Sequence, residues 1–203
     1  MNPDQLSALQ IDALRELGSI GAGHAATALS QMLGKAVAID VPRIALIPVT
    51  EVPVLLGGPE RLVGAVHSRL LGDIEGSIVF IAAREDLLAL VDMLRSREPG
   101  TTKSLHGDEE ALAVHTASIL ISAYVAAIGR MADISLLPSP GMFAFDMLGA
   151  ILEVVTAEIG MKVDTALLVL TRFIEEDKSI DAGLVSLPDP DSLEILLGRL
   201  GII

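Results

Sequence analysis

The chain has no cysteine and no tryptophan, and its aromatic residues are four Phe and one Tyr among 203. Without cysteine it has no disulfides, thiol nucleophiles or thiolate metal sites, which suits a cytoplasmic protein. With so few aromatics it has no platform on which single-stranded bases stack. Basic residues are also scarce: 14 Lys and Arg against 27 Asp and Glu give a formal charge of −13. Binding to nucleic acid needs cations that displace counterions from phosphates, so no nucleic-acid partner is expected. What is abundant is aliphatic. Hydrophobic residues make up 51% of the chain, enough for a substantial buried core.

The mean hydropathy of +0.59 is high, so membrane insertion is tested first. A spanning helix needs about 20 mostly apolar residues. Two charge-free stretches come close, Leu17–Gly34 and Ala111–Gly129. The first contains four Gly, a His and several hydroxyls. The second carries His115, Thr116, Ser118 and Ser122, and much of its apolar content is Ala. Both read as helices buried in a soluble fold, with no membrane insertion. The N-terminal residues show no basic region followed by an apolar core, so no signal peptide is expected.

The same order of elements occurs twice. A long helix from Asp4 to about Leu33, whole or broken near Gly21–Gly23, precedes a strand-like segment Ala36–Ile47 containing Pro42. Leu62–Leu70 and Gly76–Ala83 read as a hairpin, and Arg84–Arg95 as an amphipathic helix with apolar residues at 87, 88, 91 and 94. Residues 97–107 are polar and turn-rich and read as a linker. The second half offers a helix at Glu109–Met131, a break at Pro138–Gly141, a helix at Phe143–Ile159, and strands at Val163–Ile174 and Gly183–Leu187. A last helix reaches Leu200, with Asp191 as N-cap and Glu194 three residues on. Glu16 and His115 are 99 residues apart, as are Ser19 and Ser118. These copies predict an α/β (α+β) fold: a pseudo-twofold, duplicated helix–strand–strand–helix unit with helices packed on a shared antiparallel sheet. One domain, 1–203, would comprise pseudo-repeats 1–96 and 108–203 joined by the polar linker 97–107.

At about 100° per residue, Asp12, Glu16 and Ser19 fall on one ridge of the first helix. Leu6, Ala13, Leu17 and Ile20 occupy the adjoining arc. Gly21–Ala22–Gly23 follow, and are expected to expose small residues beside the ridge so that a partner can approach closely. The matching stripe on the second long helix is Ala111, His115, Ser118 and Ser122. His115 and Ser118 are spaced to hydrogen-bond, but no orienting acid or oxyanion hole accompanies them, so this is no nucleophilic triad. Gly18–Gly23 (GSIGAG) resembles a phosphate loop only in composition. It follows a helical pattern rather than a strand, and no Gly-Lys-Ser/Thr is present. His106, Asp108, Glu109 and Glu110 read as acids favoured at a helix N-terminus rather than as a metal site. No metal site is predicted.

The segment ALRELGSIGAGHAATALSQMLGKAVAIDVPRIALIPV, residues 13–49, resembles the chemotaxis phosphatase family that includes CheC, CheX and FliY. That family's signature is Asp or Ser, three residues, Glu, two residues, Asn, twenty-two residues, then Pro. Asp12, Glu16, Ser19 and Pro42 stand at the matching spacing. LLGDIEGSIVFI, SPGMFAFDMLGAILEVV and LVSLPDPDSLEILLGRLGI look like the family's hairpin, later helix and C-terminal strand and helix, so the resemblance spans nearly the whole chain.

The resemblance implies a CheC-like fold and dephosphorylation of the aspartyl phosphate of the response regulator CheY. Glu16 would dock against a Lys of the regulator, and residue 19 would orient the attacking water. It implies no cofactor of the chain's own; Mg²⁺ would be carried by the regulator. The family Asn is Ser at position 19. In the second copy His115 replaces Glu, Ser118 replaces Asn and Gly141 stands where Pro is expected. At most one working site is therefore expected, the first. Asp146 matches a position implied in contact with the receptor deamidase CheD. A catalytically weak or inactive adaptor for CheY or CheD is the alternative reading. A flagellar switch component of the FliY type is a third, disfavoured by the lack of a switch-binding extension after the last helix.

Overall fold

Ser7 and Gln10 start the first helix by exchanging hydrogen bonds. The Ser7 hydroxyl accepts from the Gln10 N–H at 3.3 Å and the Gln10 side chain accepts from the Ser7 N–H at 2.8 Å, closing a capping box. Helix α1 therefore spans Ala8–Leu33 and begins later than the apolar pattern alone suggests. It runs unbroken through Gly21–Gly23 and ends where Gly34 turns left-handed at φ 66°. The structure, a computed structural model, describes residues 6–40, 43–158, 165–175 and 178–202.

The segment expected as one strand at Ala36–Ile47 forms two, β1 (Ala38–Ile39) and β2 (Arg43–Pro48). Pro42 lies outside the described residues. A 3-10 turn, Val49–Glu51, leads into the short helix α2 (Val52–Leu55). The hairpin forms as expected, from β3 (Leu62–Gly72) and β4 (Gly76–Ala83), followed by α3 (Arg84–Leu94). The second half supplies α4 (Asp108–Ala132), β5 (Leu136–Pro138), β6 (Met142–Met147), α5 (Leu148–Glu158), β7 (Thr165–Glu175), β8 (Lys178–Pro188) and α6 (Pro190–Arg199).

Two expectations need correction. The helix read at Phe143–Ile159 starts only at Leu148, because Met142–Met147 pair antiparallel with His67–Leu62 of β3. A non-local ladder overrides the local helical pattern there. The N-cap of α6 is Asp189, not Asp191. Pro190 takes the first helical position, where its fixed φ fits and its missing N–H is not needed.

The sheet is antiparallel in order β1-β7-β8-β4-β3-β5, with β2 also on β7 and β6 also on β3. It reads symmetrically about the β8–β4 pair. Each half lends its first strands to the other half's hairpin, so the copies interlock. The α1, α3, α4 and α6 side chains share one core with one face of the sheet. Val52 of α2 and Leu148, Ile151, Leu152 and Val155 of α5 pack on the other face. Strand β4 is covered on both sides and all eight of its residues are buried, which explains its unbroken apolar run.

The duplication is written into the burial of the two long helices. The buried positions of α1 are Leu14, Leu17, Gly18, Gly21, Ala22, Ala25, Ala26 and Leu29. Moved on by 99 residues they become Ala113, Thr116, Ala117, Leu120, Ile121, Tyr124, Val125 and Ile128, and every one is buried in α4. Helix α4 is the one described helix long and apolar enough to cross a membrane, and half of its most apolar window is buried inside the fold.

Gly21 does not open a surface to a partner. It is buried, and a Cβ there would lie 2.5 Å from two ring carbons of Tyr124, itself almost fully buried on α4. The small residue lets the two long helices approach each other. Gly21→Ala is expected to cost about 1–3 kcal/mol through overpacking, despite a gain of up to about 1 kcal/mol in helix propensity. At Gly23, also in α1, a Cβ would have no neighbouring atom within 4 Å, so Gly23→Ala is expected to be neutral or stabilising. Urea unfolding checks the pair: a lower midpoint with unchanged slope for the first, and no loss for the second.

Candidate functional site

Helix α1 buries Leu14, Leu17, Ala22, Ala25, Ala26 and Leu29 in the core shared with the sheet and α4, which leaves the Asp12–Glu16–Ser19 ridge facing outward. Asp12 and Glu16 are exposed and Ser19 is half-buried. With Arg15 and Ile44 they line one shallow, solvent-open depression. Ile44 comes from β2, and a Cβ added to Gly18 would lie 3.1 Å from its side chain. Close packing at Gly18 therefore draws β2 up to the ridge.

The only described contact among the ridge charges joins the Arg15 guanidinium to the Asp12 carboxylate at 3.5 Å. Among the described residues, Glu16 has no ion-pair partner and the Ser19 hydroxyl has no hydrogen bond. A carboxylate and a hydroxyl thus point to solvent beside a held cation. The site has the form of a docking ridge, not an enclosed pocket.

The second stripe has a different chemistry. His115, Ser118 and Ser122 line an open groove with Glu110 and Pro138–Gly141. The hydroxyls there are occupied by their own helix: Ser118 donates to the Val114 carbonyl at 2.8 Å and Ser122 to the Ser118 carbonyl at 2.7 Å. No bond joins His115 to Ser118 among the described residues. Gly141 is sterically tight, since a Cβ there would stand 2.6 Å from Val66 and 2.7 Å from the Ser118 hydroxyl. A proline at 141 would therefore crowd Val66 of β3 and the Ser118 hydroxyl of α4 unless the β5–β6 connection shifted.

Asp146 lies on β6 opposite Val63, two residues before α5. It is exposed, and its carboxylate accepts from the Met147 N–H at 2.7 Å. Among the described residues no three His, Asp or Glu side chains are grouped to hold a metal ion.

Sequence reasoning passed over two features. One is Arg15, which reads as an ordinary surface charge until the depression places it beside Ser19. The other is buried His67 of β3, whose Nε2 lies 2.9 Å from the Ser77 hydroxyl and whose Nδ1 lies 3.6 Å from the Glu158 carboxylate. Burial lowers the pKa of His67, and Glu158 partly opposes that shift. Ser77 is fully buried, so this serine–histidine–glutamate chain tethers the end of α5 to the sheet and presents no nucleophile to solvent. His67 stands in a strand segment buried on both faces, and its Ser77 partnership depends on strand register, which the sequence does not display.

A concavity on the α2 side of the sheet has several of its charges paired, with Arg43 in its lining left without an ion pair among the described residues. Arg172 makes a bidentate contact with Asp181 at 2.6 and 3.0 Å, and Arg61 reaches Glu85 at 3.3 Å.

An antiparallel sheet with paired long helices is a fold that solved chemotaxis and flagellar proteins share. FliY of Thermotoga maritima shares the fold with a TM-score of 0.76, at 14% identity, over 97% of this chain and 98% of that one. The FliM middle domain from H. pylori shares it with a TM-score of 0.65, at 14% identity, over 96% and 99% of the two chains. The CheC-like family model matches residues 9–46, the ridge helix and β2. The CheY-P phosphatase CheC of Bacillus subtilis (strain 168) is 30% identical over 196 residues, covering 95% of this chain and 94% of that protein. The chain belongs to the CheC-like family and is a CheC-like chemotaxis protein.

Proposed function

We propose that this chain is a cytoplasmic phosphatase that hydrolyses the aspartyl phosphate of the response regulator CheY. The observation that carries the reading is the α1 ridge: Glu16 without a partner and Ser19 with a free hydroxyl, side by side and open to solvent, within the segment that matches the CheC-like family. Likeness to a CheY-P phosphatase over nearly the whole chain supports it.

In this reading Glu16 pairs with a lysine of the regulator and sets the register of docking. Ser19 accepts a hydrogen bond from a water molecule and holds it in line with phosphorus. The water oxygen forms the new P–O bond as the bond between phosphorus and the aspartyl oxygen breaks. The electron pair of that bond leaves with the aspartate carboxylate, and the water's protons leave on inorganic phosphate. An acyl phosphate is already activated, so positioning supplies most of the acceleration. The regulator contributes the phosphoryl group and its own Mg²⁺.

The test is the lifetime of phosphorylated CheY with and without the full-length chain. Shortening by the wild type is expected, with Glu16→Ala weakening the effect roughly 10- to 30-fold through a higher KM, as for loss of an interfacial charge pair. A lifetime unchanged by any concentration of wild type would remove the enzyme reading.

Two observations favour an adaptor reading beside it. Ser19 replaces the family Asn, and the exposed Asp146 on β6, just before α5, offers a carboxylate for CheD. Binding of CheD that Asp146→Ala abolishes, with no phosphatase activity, would favour this reading over the first.

A further inference from the structure

We infer that Arg15 is a catalytic residue of the α1 ridge, its guanidinium contacting the phosphoryl oxygens of the docked aspartyl phosphate, and that Asp12 is a positioning residue acting through it. The inference rests on the phosphatase reading and assigns the ridge a cation that the family signature does not contain.

The duplication isolates what is particular to the first ridge. Moved on by 99 residues, Asp12, Arg15, Glu16 and Ser19 become Ala111, Val114, His115 and Ser118. The hydroxyl is present in both copies, so it does not distinguish them. The acid–arginine–acid set does, and it occurs only on α1. Arg15 is also the one permanent cation lining that depression, in a chain whose formal charge is −13. An incoming phosphoryl group meets a surface that is otherwise repulsive to it.

Geometry makes the contact available. Arg15 precedes Ser19 by one helical turn, so the two side chains are neighbours on the same face. Asp12 holds the guanidinium from the preceding turn, at 3.5 Å and through one N–H. A guanidinium carries five donors in a planar fork suited to phosphate oxygens, so most of them stay available. Arg15 is about half exposed, long enough to follow a docked partner without moving the helix. As negative charge spreads over the equatorial phosphoryl oxygens, a held cation stabilises it. This contact also bears on Ser19. A hydroxyl fixes the water less firmly than an amide, and a fixed phosphoryl group shifts part of the positioning onto the electrophile.

The experiment measures kcat and KM for hydrolysis of phosphorylated CheY by the full-length chain, in both the wild-type and the Ser19→Asn backgrounds, so that a slow parent does not blunt the readout. Arg15→Ala is expected to lower kcat about 10-fold or more with KM nearly unchanged, and Arg15→Lys to recover part of the loss. Asp12→Asn is expected to lower kcat less, and to add nothing once Arg15 is Ala, because its effect passes through the guanidinium. A purely structural role for the pair would leave kcat unmoved. If Arg15→Ala turns over like its parent while Glu16→Ala is impaired, the Arg15 assignment falls and the phosphatase reading stands. If neither background accelerates hydrolysis, both fall.

Discussion

Ser19→Asn is expected to raise the rate of CheY-phosphate hydrolysis by roughly 100-fold over the wild-type chain. The argument is one of reach. The serine oxygen sits one bond from Cβ, whereas an asparagine amide extends one atom further and presents an acceptor and two donors in a fixed plane. A displacement of about 1 Å at a water-positioning group can cost about 100-fold in rate. The structure has room for the larger side chain. Ser19 is half-buried at the edge of an open depression, with Ile44 beside it, and its hydroxyl has no described hydrogen bond for the substitution to break. The gain should appear in kcat, with KM set by Glu16 and little changed. Combining Ser19→Asn with Glu16→Ala should lose most of the gain at low regulator concentration, because the amide then works in a complex that seldom forms. Single-turnover decay of phosphorylated CheY, read for the two single variants and their combination, tests the order of events. A Ser19→Asn chain no faster than wild type would show that residue 19 does not orient the water.

How far the sequence carries depends on whether a feature is local or made by pairing. The duplicated long helices were legible because their burial follows one 3.6-residue phase, preserved at every buried position across the 99-residue offset. The β3–β4 hairpin was legible because apolar runs flank the turn at Gly72–Glu75. Strand β6 was not: MFAFDM continues into a helical pattern, and only its ladder to β3 makes it extended. Gly21 was misread for a related reason. Its small size was clear, but it is the ring of Tyr124, 103 positions along the chain, that gives the size a purpose. In the site, Asp12, Glu16 and Ser19 were found by angle around one helix, and the structure places all three on one depression. Arg15 stood in the same sequence window and was passed over, because an arginine in an amphipathic helix usually faces solvent without a task. The difference in state between Ser19 and Ser118 was also hidden. Both follow the same pattern, and only coordinates show that one hydroxyl is bound to its own helix.

Asp92→Ala is expected to destabilise the fold by about 3 kcal/mol, because it leaves buried neutral donors without an acceptor at about 1–3 kcal/mol each. Residues 97–107 read as a plain polar linker, yet the structure fastens them to α3. Asp92 is 2% exposed and accepts from the Thr101 N–H at 3.0 Å, the Thr102 N–H at 2.9 Å and the Thr102 hydroxyl at 2.6 Å. Thr102 is itself buried, so alanine at 92 leaves polar groups unpaired where water does not easily replace the lost acceptor. Burial alone would raise the Asp92 pKa. The hydrogen bonds from Thr102, Thr101 and Gly100 together outweigh it and hold the carboxyl below its ordinary value of 3.8. The stabilisation from ionised Asp92 is therefore fully present above that value and is lost as pH falls through the lower, folded-state one. Asp92→Asn keeps the shape but cannot titrate. The stability gap between wild type and Asp92→Asn should be constant from about pH 7 down to about pH 5 and narrow below about pH 4. Urea unfolding of both chains across that range measures the gap, and the shared titration of all other carboxylates cancels in the difference. A gap that stays level down to the acid limit would mean that the folded and unfolded chains hold Asp92 at the same pKa, and that the linker is not fastened through its charge.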